Sequence, residues 1–161
     1  MAKFFIEKLL VTGSGKNPSS VEFSDGVNFI VGPSNTGKSY IVESIDYLFG
    51  FEPSKNKPFR FDPSLGYDCF ALHTRTPNGT VIFRRKLGEN KINISGTDPN
   101  YKHGDYSLGH LAKNNISSIW LQMMGIDEPH KILQSQAGKV QQLTLRSFLH
   151  MFFVKQDYVA R

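Results

Sequence analysis

One cysteine, Cys69, occurs in 161 residues. No internal disulfide can therefore staple the chain, and a lone thiol of this kind fits a reducing compartment. No run approaches the roughly 18 consecutive apolar residues of a membrane span. Residues 1–8, with Lys3, Glu7 and Lys8 among them, are too charged and too poor in apolar residues for a signal peptide. Cytoplasm is the expected location. The five histidines, His73, His103, His110, His130 and His150, fall at no H-E-x-x-H spacing, and no C-x-x-C pair exists. That argues against zinc chemistry. A G-x-S-x-G nucleophile turn and a Rossmann fingerprint are also missing, as are internal repeats and low-complexity tracts.

The bulk of the sequence is ordinary for a globular protein, 39% hydrophobic and 20% charged, and its length fits one domain with a real core. Nineteen Lys and Arg against fourteen Asp and Glu leave a net charge of +5. A polyanionic partner such as DNA, or nucleotide phosphates, would be favoured by that balance. The densest basic run, Arg84-Arg85-Lys86, lies where strand alternation leaves part of it in solvent.

Gly32-Pro33-Ser34-Asn35-Thr36-Gly37-Lys38-Ser39 carries the most chemistry. It satisfies G-x-x-x-x-G-K-[ST], the phosphate-binding loop, at every specified position. Val27-Asn28-Phe29-Ile30-Val31 before it reads as a buried strand. After it, Ile41, Val42, Ile45, Leu48 and Phe49 mark one apolar helical face, ended by Gly50. Strand, glycine-rich loop and helix suit an anion. Glycines let backbone N–H groups turn inward, and the helix N-terminus adds partial positive charge. In such a loop Lys38 reaches the β and γ phosphates, the Ser39 hydroxyl ligates Mg²⁺, and Tyr40 follows in the first helical turn. The plainer alternative is a glycine-rich turn opening a helix. A second sequence, Gly13-Ser14-Gly15-Lys16, imitates the motif but has Leu10 at the first glycine position and Asn17 at the hydroxyl position. It reads as a loop between strands whose lysine could approach a bound nucleotide.

Around the loop the pattern is strand-rich. Residues 4–11 and Val21-Glu22-Phe23 read as antiparallel neighbours. Residues 69–76 and 80–86 form a hairpin around Pro77-Asn78-Gly79, and 91–94 add a further strand. The stretch with Pro53, Pro58 and Pro63 reads as loop, as does the polar segment 97–105. Ser107 caps a helix running to about Met124, with Leu108, Leu111, Ile116, Ile119, Trp120 and Met123 as its buried face. Thr144 caps a last helix, 145 to about 153.

Hydrolysis by this class needs a second acidic site, an apolar strand ending in Asp with a following Glu. Asp127-Glu128 is the nearest match, but Gln122 and Gly125 interrupt the apolar run and the spacing is helical. The pair reads as a helix exit before Pro129. Met151-Phe152-Phe153-Val154 is apolar enough, yet Lys155-Gln156 separate it from Asp157.

Residues 23–39, from Phe23-Ser24-Asp25-Gly26 through the loop, resemble the opening of SMC-type ABC ATPases. That family includes the chromosome-condensation and break-repair ATPases, RecN, RecF and many bacterial coiled-coil relatives. Ser44-Ile45-Asp46-Tyr47-Leu48-Phe49-Gly50 resembles the end of that family's first helix, and the hairpin ending in Phe83-Arg84-Arg85 the strand pair after it. Phe152-Phe153-Val154-Lys155-Gln156-Asp157 is similar to the family's Q-loop, which makes Gln156 a candidate ligand of Mg²⁺ and sensor of the γ-phosphate. A polar helix exit is the other reading of Gln156. The family's C-terminal lobe, with its Ser-Gly signature, acidic pair and switch histidine, has no counterpart here.

The resemblance implies an α/β fold: an N-terminal ATPase lobe over residues 1–161, with the loop's helix on a twisted, mostly antiparallel sheet and smaller helices toward the C-terminus. It implies ATP with Mg²⁺, bound through Gly32, Pro33, Ser34, Asn35, Thr36, Gly37, Lys38, Ser39 and Tyr40. It also implies a C-terminal lobe supplied in cis or in trans, ATP-driven pairing of two heads, and DNA as a further partner, with no membrane. A small P-loop kinase and a non-hydrolysing nucleotide-binding module are the rival classes. The kinase would need arginines on a mobile lid, for which Arg84-Arg85 are poorly placed.

Overall fold

Alternation of apolar and polar side chains between Cys69 and Lys86, broken by Asn78-Gly79, dictates the centre of the fold. In the computed structural model, which describes residues 4–54, 59, 63–109, 112–127, 131–133 and 138–152, these residues form β3 (Cys69–Thr76) and β4 (Gly79–Lys86). They pair antiparallel from Cys69 opposite Lys86 to Thr76 opposite Gly79. Around them stand β1 (Phe5–Thr12), β2 (Ser19–Glu22), β5 (Lys91–Gly96) and β6 (Gly104–Ser107). The six make one sheet in the order β2-β1-β3-β4-β5-β6, and every pairing is antiparallel. A separate small hairpin joins β7 (Lys131–Leu133) to β8 (Val140–Gln142).

Period-two burial gives the sheet its inner face: Phe70 and Leu72 on β3, Val81 and Phe83 on β4, Ile92 and Ile94 on β5, all essentially inaccessible. Three helices bury apolar stripes against this core: α1 (Lys38–Leu48), α2 (Ile116–Met123) and α3 (Leu145–Phe152). Trp120 of α2 is the hub. Its ring stacks on Phe83 at 3.9 Å between centroids and meets Phe49, just past α1, edge-on at 4.6 Å. Tyr47 of α1 meets Phe70 edge-on at 5.5 Å. The resulting mixed α/β lobe, with a mostly antiparallel sheet, is the architecture expected from the sequence.

Three local expectations are corrected. Residues 27–31 form no strand: Val27, Phe29 and Val31 are 81%, 86% and 91% exposed. A strand needs a ladder partner, and this segment pairs with none of the six strands of the sheet. The Asn28 side chain instead closes a local turn, accepting from the Ser24 N–H at 2.9 Å and donating to the Ser24 carbonyl at 2.8 Å.

The second helix starts at Ile116, not after Ser107, because Asn115 is its cap: Asn115 Oδ1 accepts from the Ser118 N–H at 2.9 Å. Ser107 belongs to β6, which extends into the segment read as loop. The last helix begins as expected, directly after Thr144, whose hydroxyl lies 3.2 Å from that of Ser147.

Candidate functional site

α1 begins at Lys38 because Gly37 adopts a left-handed conformation, φ 85°, that turns the chain into the first helical turn. No side chain caps that N-terminus, and its first turn contains no acidic residue. The leading N–H groups are therefore left without a side-chain acceptor at the positive end of the helix dipole. Ahead of them Asn35 also has positive φ, 62°, a conformation asparagine tolerates better than other side chains. Two left-handed residues two apart curl residues 32–37 into a tight, exposed loop.

The Lys38 side chain folds back over this loop. Its ammonium donates to the Gly32 carbonyl at 2.7 Å, to the Pro33 carbonyl, and lies 3.4 Å from the Thr36 hydroxyl. Thr36 Oγ1 in turn donates to the Pro33 carbonyl at 2.8 Å. A side-chain β-carbon at position 32 would sit 3.1 Å from that Thr36 oxygen, so glycine permits the close approach. A cation is thus held at the loop by neutral carbonyl acceptors, leaving its charge for an anion. The cradle fits the phosphates that the sequence implies. Ser39 is exposed in the first turn and Tyr40 follows it, its N–H bonded to the Gly37 carbonyl at 3.0 Å.

Of the other residues singled out from sequence, Gln156 lies outside the described residues, as does Glu128. Asp127 is described, and it lines a cavity with Thr76, Asn78 and Asp98. The loop lines a different cavity, with Val11 and Phe70. Because β3 runs from Cys69 to Thr76, these cavities lie at opposite ends of that strand, and Asp127 is remote from the loop. Lys16 sits in the β1–β2 connection, against Gly66. Among the described residues no group of three or more His, Cys, Asp or Glu could hold a metal ion. No helix of the described residues is long and apolar enough to cross a membrane.

The basic run divides by strand alternation. Arg84 and Lys86 face solvent, whereas Arg85 is only 3% exposed. Its guanidinium donates to the carbonyls of Tyr47 and Phe51, both at 2.7 Å, and to Glu89 O at 3.0 Å, and it stacks 3.7 Å from the Tyr47 ring centroid. Burial lowers the pKa of Arg85 and raises that of Tyr47, the second being opposed by the nearby guanidinium. Arg85 therefore anchors the far end of α1 and belongs to no lid over the phosphates. Sequence reasoning did not find this role, and the one available signal was an inward position in the alternation of β4. It also missed Asp46, which accepts from Arg146 of α3 at 2.8 Å. One hundred residues separate that pair, and no local pattern joins them.

A family model described as an AAA domain matches residues 12–150, most of the chain. No curated protein matches the chain significantly.

Proposed function

The chain belongs to the AAA domain family of P-loop ATPases, and on that premise we propose that it binds Mg·ATP as the N-terminal lobe of an SMC-like ATPase head. The observation that carries the reading is the loop itself: an uncapped helix N-terminus, with the Lys38 ammonium drawn over the turn that precedes it. Residues 32–40 hold the phosphates, and Ser39 supplies a hydroxyl to Mg²⁺, most of whose other ligands come from phosphate oxygens and water. Gln156 is the second protein ligand and γ-phosphate sensor in this scheme.

The bare segment 27–31 supports the other half of the proposal. An apolar stretch leading into a phosphate loop, exposed at Val27, Phe29 and Val31 and again at Ile30, lacks cover on both alternating faces. A C-terminal lobe, in cis or in trans, supplies that cover together with the missing catalytic acids. Two such heads then associate around ATP and separate after hydrolysis, a population shift driven by contacts that differ between the two states. DNA maintenance or defence is the proposed setting, to which the net charge of +5 lends support.

Calorimetric titration with Mg·ATP tests the binding. Lys38→Ala should lose about tenfold to a hundredfold in affinity, the worth of a charge-assisted hydrogen bond or two. Equal affinity in both proteins removes the role assigned to Lys38. Alone, the chain should turn over ATP well below about one per second, since transition-state charge lacks its stabilising groups.

A further inference from the structure

A cavity of about 290 Å³ opens at the end of β3 remote from the phosphate loop, between the β3–β4 turn, residues 98–101 and the C-terminal turn of α2. Its volume falls just below the roughly 300–1,000 Å³ of ordinary ligand pockets, which suits a single side chain. Phe4, Pro77 and Met123 supply apolar wall, and two carboxylates, Asp98 and Asp127, stand among amides and hydroxyls. Asp98 is only 2% exposed. It accepts from the backbone and side-chain N–H groups of Asn100, both at 2.9 Å, and from the Thr76 hydroxyl. All three donors are neutral, and neither carboxylate forms an ion pair among the described residues. A buried carboxylate without a cation is costly, and here it occurs in a chain of net charge +5.

Tyr101 is a separate sign of a missing partner. It lines the cavity and is 9% exposed, yet its hydroxyl makes no hydrogen bond among the described residues. Buried phenols ordinarily find one. Burial raises the Tyr101 pKa, and the Asp98 and Asp127 carboxylates raise it further, so that oxygen lies in the field of both cavity acids.

We propose that this cavity receives the guanidinium of an arginine side chain presented by a protein partner. The inference is independent of the phosphate reading, because the two cavities share no described residue. A guanidinium is planar, always charged, and carries five N–H donors in a fixed fork. It can serve Asp127, the Tyr101 oxygen and the amide oxygens of Asn78 and Gln122 together, all of them without partners among the described residues. Its aliphatic stem covers the apolar wall. An ammonium is a compact point charge with three donors and reaches fewer of these groups. A metal ion would need more ligands, and among the described residues no group of three or more His, Cys, Asp or Glu could hold one. Free arginine would bring an α-carboxylate toward the exposed Asp127, a like-charge contact that arginine within a polypeptide avoids.

Chemical-shift titration of the isotope-labelled whole chain tests this. The probes are Nα-acetylarginine amide, its citrulline and lysine counterparts, and free L-arginine. The arginine amide should give saturable shifts at Asn78, Asn100, Gln122 and Asp127, with a dissociation constant of about 10 mM or tighter. The citrulline counterpart keeps the shape without the charge and should bind about tenfold more weakly, the lysine counterpart and free arginine about threefold. Asp127→Asn, at an exposed position, should weaken arginine amide binding about fivefold with the melting temperature nearly unchanged. Tyr101→Phe sacrifices no existing hydrogen bond and should weaken binding about threefold. Lys38→Ala should bind the amide as wild type does. Shifts that fail to saturate or lie away from the cavity, equal binding of the citrulline counterpart, or undiminished binding by either folded cavity variant overturns the arginine seat. Equal binding of the lysine counterpart overturns the guanidinium preference. Free arginine binding as tightly as the amide overturns the assignment to a partner's side chain. A failure of Mg·ATP to bind would overturn the phosphate reading and leave each of these outcomes as it stands.

Discussion

Asn35 is the one non-glycine residue with positive φ among the described residues, and it sits inside the phosphate loop. Asn35→Gly should leave stability and nucleotide affinity close to wild type. Asn35→Val should cost about 1–2 kcal/mol, the strain of a left-handed β-branched residue, and should weaken Mg·ATP binding in parallel. Thermal melts and titrations of the two variants check this. His73 offers a pH handle at the same scale. Burial, then the Lys8 ammonium and, more weakly, Arg84 lower its pKa below the ordinary 6.5, against an opposing pull from Glu7. The unfolded chain thus takes up this proton at higher pH than the folded one. Stability contributed by neutral His73 is present above the unfolded value of 6.5 and is lost as pH falls through it toward the lower folded pKa. His73→Leu should flatten the decline in urea midpoint on the acid side of 6.5 relative to wild type, and an unchanged pH profile would contradict the assignment.

Elements differ in how their ends are held. The N-terminus of α1 has no side-chain cap, while its C-terminus is pinned by Arg85 through the Tyr47 and Phe51 carbonyls, a cation where the helix dipole favours one. Arg85→Met should cost roughly 2–4 kcal/mol, from the half-buried Phe51 and Glu89 carbonyls left without this donor, a Tyr47 carbonyl reduced to the Gly50 N–H, and the lost stacking on Tyr47, read as a shift in chemical denaturation. The Asp46–Arg146 pair that ties α1 to α3 is a weaker tether. Its arginine side chain is 35% exposed against 12% for the aspartate. A double-mutant cycle with Asp46→Ala and Arg146→Ala should therefore give a coupling of about 0.5–1 kcal/mol, as for solvent-screened pairs, and not the 3–5 kcal/mol lost when a fully buried pair is broken.

Legibility of these elements from sequence followed local chemistry. The β3–β4 hairpin was plain because alternation and turn residues agree, and α1 because a helical apolar face ends at Gly50. Strand β6 was not, since Gly-Asp-Tyr-Ser carries one apolar residue, Tyr106, and is a strand only by virtue of its pairing with β5. The start of α2 was misplaced because Ser107 and Asn115 are both good caps. Only the tertiary pairing of Ser107 settles which one is used.

For the molecule as a whole, the α/β class and the mostly antiparallel sheet were implied by the resemblance around the phosphate motif, whereas the full strand order and the cavity beside the loop had no signature at all. Its walls come from β1, β2, α1 and the segment around Leu65, brought together by folding alone. The expected strand before the loop failed for a global reason too. Apolar composition makes a segment willing to pair, but the partner has to exist, and the described sheet already ends at β2 and β6.

Val27-Asn28-Phe29-Ile30-Val31 carries no charge and no proline, and its large side chains stand in water. Short β-prone, uncharged runs of this kind nucleate cross-β stacking between identical chains. Purified by itself at high concentration, the chain should scatter light after a lag and bind thioflavin. A gatekeeper lysine, Phe29→Lys, should lengthen that lag while leaving the melting temperature nearly unchanged, because Phe29 is 86% exposed. Storage life in the test tube is thus set by five residues outside every helix and strand of the lobe.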